Sequence, residues 1–200
     1  MDTGSVRAIW ERDGYMLRPA QISDAEAYYA QNFDPLDEEA ARLTGSKRHF
    51  TKEEVVRYFR SCAEDDAARL FLLFSPQGGM IGECAINEID KRAKSANFRI
   101  CIFPPAERGR GLGGSVIEAV RDYAFEELKL HRLSLSVFSF NPRAERAYLK
   151  AGFRREGVLR DAVLDGGRYA DEVLMSLLEE EWRALKGISP CGGETAGVRV

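Results

Sequence analysis

A run of glycines and arginines, Arg108-Gly109-Arg110-Gly111-Leu112-Gly113-Gly114, stands between an apolar strand-like stretch (Phe98 to Phe103, then Pro104-Pro105) and an amphipathic helix. Glycine leaves the backbone N–H groups bare. The first turn of a following helix, with the positive end of its dipole, can therefore close around an anion. Two arginines in the loop add positive charge. Strand, basic Gly-rich turn and helix together form a cradle for a pyrophosphate, and the chain around the cradle must say whose.

Upstream of the turn, Tyr15 to Pro19 reads as a short strand. Ser23-Asp24-Ala25-Glu26 and Thr51-Lys52-Glu53-Glu54 each read as a capping box opening a helix. Residues 32–48 between them are polar and read as irregular, with an acidic knot at Asp34, Asp37, Glu38 and Glu39. Arg69 to Phe74, Met80 to Ile89 and Ser95 to Phe103 read as strands joined by short polar turns, which predicts an antiparallel meander. Beyond the turn, Leu112, Val116, Ile117, Val120, Tyr123, Ala124 and Leu128 mark one face of a helix running to about Lys129. Arg132 to Phe140 reads as a strand. Asn141-Pro142 opens a helix, Asn as N-cap and Pro at the first position, which Gly152 closes. Two long strands, Phe153 to Leu164 and Tyr169 to Leu178, meet at Asp165-Gly166-Gly167-Arg168. The pattern is α+β: a mixed, mainly antiparallel central sheet flanked by helices. It is read as one domain over residues 15–180, with a loose leader at 1–14 and a frayed tail at 181–200.

Of 200 residues, 44% are hydrophobic and 30% charged, an ordinary globular composition. A net charge of -3 argues against a broad nucleic-acid or anionic-membrane footprint. No run approaches ~20 apolar residues, as a membrane span would need. Four scattered cysteines (Cys62, Cys84, Cys101, Cys191) and two histidines offer no metal-ligand spacing, so no metal is expected. The start of the chain lacks a secretory pattern, and a reducing cytoplasm is expected.

Gly109, Gly111 and Gly114 fit the G-x-G-x-x-G of dinucleotide sites. That reading needs an early strand–turn–helix unit and an acid on the next strand to hold a ribose. Here the motif comes late, after a meander, and Arg132 to Phe140 contains no acid. Read instead as Arg108-x-x-Gly111-x-Gly113, the turn resembles the GNAT superfamily of acetyl-CoA-dependent N-acetyltransferases. The resemblance extends through Asn141-Pro142-Arg143-Ala144, Ala147-Tyr148-Leu149-Lys150-Ala151-Gly152-Phe153, Glu156 to Asp161 and Gly167 to Asp171. It is closest to the branch of ribosomal-protein N-terminal and bacterial spermidine N-acetyltransferases.

The resemblance implies the GNAT acyl-CoA N-acyltransferase fold, with acetyl-CoA as donor. The pyrophosphate would lie against Arg108, Gly109, Arg110, Gly111, Leu112, Gly113 and Gly114. The pantetheine arm would lie along Cys101, Ile102 and Phe103, with Asn141 touching the cofactor. Tyr148 would be the acid that protonates the leaving sulfur, although its residue pattern alone also suits a core aromatic. The acceptor would be a primary amine, either a protein N-terminal amine or a small polyamine; oligomerisation is left open. The branch often places a Glu where this chain has Asn97, which cannot serve as a base. Glu88 and Glu83 on the neighbouring strand are the candidates in its place, Glu88 slightly preferred. Asn97 also keeps open an acetyl-CoA-binding module without catalysis. The acidic knot could face a polyamine, or be a solvated loop.

Overall fold

The computed structural model describes residues 7–46 and 49–188. Its strands are β1 (Trp10–Arg12), β2 (Tyr15–Pro19), β3 (Arg69–Phe74), β4 (Met80–Asp90), β5 (Ser95–Ile102), β6 (Arg132–Phe138), β7 (Arg154–Asp165) and β8 (Arg168–Leu178). They form an 8-stranded sheet in the order β1-β2-β3-β4-β5-β6-β8-β7. All neighbours are antiparallel except β5 and β6. The expected mixed, mainly antiparallel sheet is thus the one observed.

Helices cover both faces: α1 (Ala25–Asn32), α2 (Glu38–Thr44), α3 (Lys52–Glu64), α4 (Leu112–Glu126), α5 (Pro142–Lys150) and α6 (Glu179–Leu185). Strand alternation sorts the core into two layers. Phe71, Leu73, Cys84, Ile86, Ala96 and Phe98 face α4 and α5. Leu70, Leu72, Ala85 and Phe103 face α1 and α3, where Tyr28 and Phe59 are fully buried. Because β3 lies beneath helices on both sides, Leu70 to Leu73 is continuously apolar.

The capping signals hold at α3 and α5. Thr51 Oγ1 accepts from Glu54 N at 3.2 Å, and Glu54 accepts from Thr51 N at 2.9 Å. Asn141 Oδ1 accepts from Ala144 N at 3.2 Å. Elsewhere the structure differs from the sequence reading. The first capping contact is Gln21 N to Asp24 at 2.7 Å, one turn ahead of α1, rather than Ser23 with Glu26. The segment read as irregular contains α2. Asp37 caps it at Ala40 N (2.6 Å), acids fill its first turn, and Gly45 closes it at φ 69°. Within the expected leader, β1 pairs with β2 as a hairpin. Within the expected tail, α6 packs back. Trp182 stacks on Phe125 with 5.4 Å between centroids and donates to Asp122 at 2.9 Å. Cys191 lies outside the described residues.

One topological detail positions everything that follows. β5 and β6 pair in parallel only across Ser95–Asn97 and Arg132–Ser134, although both strands run on. Beyond Asn97 and Ser134 they part. Among the described residues, no helix is long and apolar enough to cross a membrane.

Candidate active site

The parting of β5 from β6 opens a cleft of about 760 Å³. Its length follows the free edge of β5 from Asn97 to Ile102, and its far end reaches Gly109, Gly111, Gly113 and Gly114 at the start of α4. An open β5 edge offers unpaired backbone groups to an extended ligand, as a sheet edge does to an added strand.

The Gly-rich turn is shaped for an anion. Gly111, the residue capping α4, sits at φ 82°, a left-handed conformation that side chains rarely adopt, and no side chain caps the helix there. No acid lies in the first turn of α4. Built Cβ atoms on Gly109, Gly111 and Gly114 would meet nothing within 4 Å. The N–H groups of this 15-residue helix start are therefore left for an outside partner. These residues fit a pyrophosphate.

Arg108 has a different task from the one its charge suggested. Its side chain is only 7% exposed and turned inward. Nε donates to Ile102 O at 2.8 Å, and Nη2 donates to Phe103 O and, at 2.7 Å, to Asp37. Nη1 donates to Glu39 at 2.6 Å. Arg108 thus ties the end of β5 to α2. Two of the four acids of the knot, Asp37 and Glu39, are thereby committed: burial raises the Asp37 carboxyl, but the hydrogen bonds from Arg108 and Ala40 N outweigh it and hold it below its ordinary range. Arg110, at the surface, reaches Glu107 at 3.5 Å.

Tyr148, on the buried face of α5, lines the cleft and packs edge-on against Phe98. Among the described residues its hydroxyl has no hydrogen-bond partner. Burial, reinforced by the Cys84 and Cys101 thiols, raises its pKa above the ordinary phenol value, so it keeps its proton at neutral pH. Asn141, the cap of the same helix about two turns earlier, also lines the cleft. Cys101, Ile102 and Phe103 line the β5 side. Burial, with Glu83 second, pushes the Cys101 thiol up to about 12, which makes it a neutral thiol rather than a nucleophile.

The two base candidates separate. Glu83 lines the cleft, accepts from Tyr28 OH at 2.5 Å and lies 3.8 Å from Arg99 Nη2. Glu88, preferred from the sequence, is exposed and does not line the cleft. The register of β4 breaks between Asn87 and Asp90, and Glu88 sits in that break at φ 56°. A bulge turns its side chain away, and local alternation cannot foresee this. Asn97 lines the cleft at the branch point of the two strands. Arg99, which the sequence reading passed over, is brought to the same wall. Among the described residues no group of three or more His, Cys, Asp or Glu could hold a metal ion.

Residues 15–154 match the family model described as Acetyltransferase (GNAT) domain. The chain belongs to the GNAT acetyltransferases. A curated GNAT relative, the spermidine N(1)-acetyltransferase of Vibrio cholerae, is 32% identical over 130 residues, 65% of this chain and 75% of the relative. The spermidine N(1)-acetyltransferase of Escherichia coli K12 is 31% identical over 108 residues, 54% of this chain and 56% of the relative. The crystal structure of the Vibrio cholerae enzyme in complex with CoA and spermine superposes with a TM-score of 0.76 at 27% identity. It covers 86% of this chain and 99% of that one. This GNAT chain is an acetyl-CoA-dependent N-acetyltransferase, transferring acetyl to an amine. The reading of Asn97 as the mark of a non-catalytic module gives way to that finding.

Proposed function

We propose that transfer occurs by direct attack of a primary amine on the acetyl donor, with both held in the cleft at once. The observation that carries this reading is the parting of β5 from β6. It puts the Gly-rich turn at one end of a single open strand edge, with Tyr148 and Glu83 among the side chains lining the same cleft. Acetyl-CoA supplies, when bound, a thioester with an electrophilic carbonyl carbon and a thiolate leaving group. The N–H groups of Gly111 to Gly114 hold the pyrophosphate, and the Cys101–Phe103 backbone orients the arm. Asn141, at the start of α5 and lining the same cleft, contacts it.

A primary amine has a pKa near ~10, so about one in a thousand is neutral at pH 7 and a proton must be removed. Glu83 receives it, directly or through a water, while the Tyr28 hydroxyl holds the carboxylate in place. Tyr148 delivers a proton to the departing sulfur. The protonated state of Cys101 favours direct attack over an acetylated cysteine. Simultaneous binding supplies orientation in place of a covalent intermediate. The acceptor is a polyamine or a peptide N-terminal amine. The spermidine relatives support the first, and the commitment of Asp37 and Glu39 to Arg108 weakens it.

Incubating the protein with acetyl-CoA and a panel of spermidine, spermine and alanine- or serine-terminated peptides, with free thiol followed, tests the proposal. Amine-stimulated thiol release that is linear from the first turnover is expected. A burst of acetylated protein before any amine is added would replace direct attack with a covalent route.

A further inference from the structure

The wall of the cleft that faces α1 and α3 carries a cation with donors to spare. Side chains alternate along β5, so Asn97, Arg99 and Cys101 share one face while Phe98, Ile100 and Ile102 share the other. Arg99 is thus the first residue of that face past the branch point, on the side opposite Tyr148. Its guanidinium uses one corner: Nη2 donates to Tyr58 OH at 2.5 Å and stands 3.8 Å from Glu83. Among the described residues, Nε and Nη1 have no hydrogen-bond partner, and the side chain is 43% exposed. Nε and Nη1 lie on different edges of the guanidinium, so a carboxylate is met by one of them together with the second Nη2 hydrogen, and Tyr58 with Glu83 fixes the group in position.

Asp37 and Glu39 are tied to Arg108, while Glu118 and Glu172 line the cleft with no cationic partner among the described residues, Glu172 accepting only from the Ser136 hydroxyl at 2.5 Å. With the acid Tyr148 on one side of the β5 edge, an attacking amine approaches from the other. There it meets Glu83 and Arg99 together, one suited to an ammonium and the other to an anion.

We infer that Arg99 is a specificity-determining residue, and that the acceptor is a primary amine carrying a carboxylate within a few bonds of the reacting nitrogen. This rests on the amine-acetyltransferase reading above. The shared chemistry is that of an acidic α-amino acid or of a peptide beginning with Asp or Glu.

The test measures kcat/KM with acetyl-CoA for Glu-initiated and Asp-initiated peptides, their Gln- and Asn-initiated counterparts, free glutamate and aspartate, and spermidine. A preference of about 10- to 100-fold for the acidic member of each peptide pair is expected, the range of one charge-assisted hydrogen bond. Arg99→Gln should bring that ratio to within about 3-fold of unity, while Arg99→Lys keeps part of it. The free amino acid arm against the peptide arm identifies the source of the carboxylate. Equilibrium binding of the acetylated acidic peptide should weaken by the same factor in Arg99→Gln, with CoA binding and Tm reporting an intact fold. Turnover of amines with a ratio near one in the wild type, a ratio untouched by Arg99→Gln, or spermidine as the best acceptor overturns this inference alone. No turnover of any amine overturns both it and the reading beneath it.

Discussion

Replacing Arg108 by Met separates two tasks an arginine beside a phosphate cradle could have. Met has similar reach and no donors. The substitution removes the bonds to Ile102 O and Phe103 O, the pair with the mostly buried Asp37, and the pair with Glu39. Glu39 is more than half exposed, so solvent screening reduces its share to under about 1 kcal/mol. The Asp37 pair, whose carboxylate stays partly buried, contributes about 2 kcal/mol, and the stranded carbonyls about 1 kcal/mol each. Burying the Met stem returns about 1 kcal/mol. The net loss is about 3 kcal/mol, or a Tm lower by about 6–12 °C for a domain of this size. Because the Asp37 carboxyl lies below its ordinary value when folded, its contribution is present above pH ~4 and fades as pH falls through the folded-state value. The Tm difference between wild type and Arg108→Met should therefore be full at pH 7 and narrow below pH ~4. Scanning calorimetry across pH, with CoA titration at two salt concentrations, checks both. A Tm within about 1 °C of wild type, accompanied by weaker and less salt-dependent CoA binding, would refute the strut and make Arg108 a phosphate ligand.

Tyr148→Phe keeps the buried ring and deletes a hydroxyl that bonds to no described residue. Tm and CoA affinity should stay put while kcat falls about 10²- to 10⁴-fold, and an unchanged kcat removes Tyr148 from the mechanism. Gly114→Asp introduces a carboxylate into open space at the start of α4, where the helix dipole favours it. Tm should hold or rise slightly while CoA affinity drops 10-fold or more by calorimetry; unaltered affinity would place the pyrophosphate elsewhere.

What the sequence made legible was encoded within a few residues of itself. The cradle follows from glycines before an apolar helical stripe, α5 from Asn141-Pro142, and the last hairpin from Gly166-Gly167, both at positive φ. The partners of Arg108 were out of reach of such reading, since Asp37 lies 71 positions away. The α2 helix was missed although Asp37, Arg42 and Gly45 are ordinary helix start and stop residues, because its 7 residues hold too few apolar positions to show a period. The α6 helix was missed for the same reason, its one buried residue, Trp182, packing on Phe125 of α4. The choice between Glu83 and Glu88 turned on a break in strand register, which depends on pairing with β5 and not on the composition of β4.

That dependence on pairing runs through the whole site, because β5 carries apolar side chains on one face and polar ones on the other. Phe98 and Ile102 pack toward Tyr148 and α4, while Arg99 and Cys101 face Glu83 and Tyr58. A slip of one residue against β4 would exchange the two sets and put the guanidinium into the apolar layer under the cradle. The register is held at the Gly82 end of the β4–β5 pairing. Gly82 lies opposite Ile102, and a Cβ on Gly82 would come within 2.6 Å of Cys101 O, so only a glycine admits this approach of the two backbones. At the other end β5 is bound on both sides, by Asn87 across from Asn97 and by Ser134 beside it. The free edge between is the stretch that neither constraint occupies. The same parting that exposes its backbone leaves Arg99 as the first side chain of its face past the branch point.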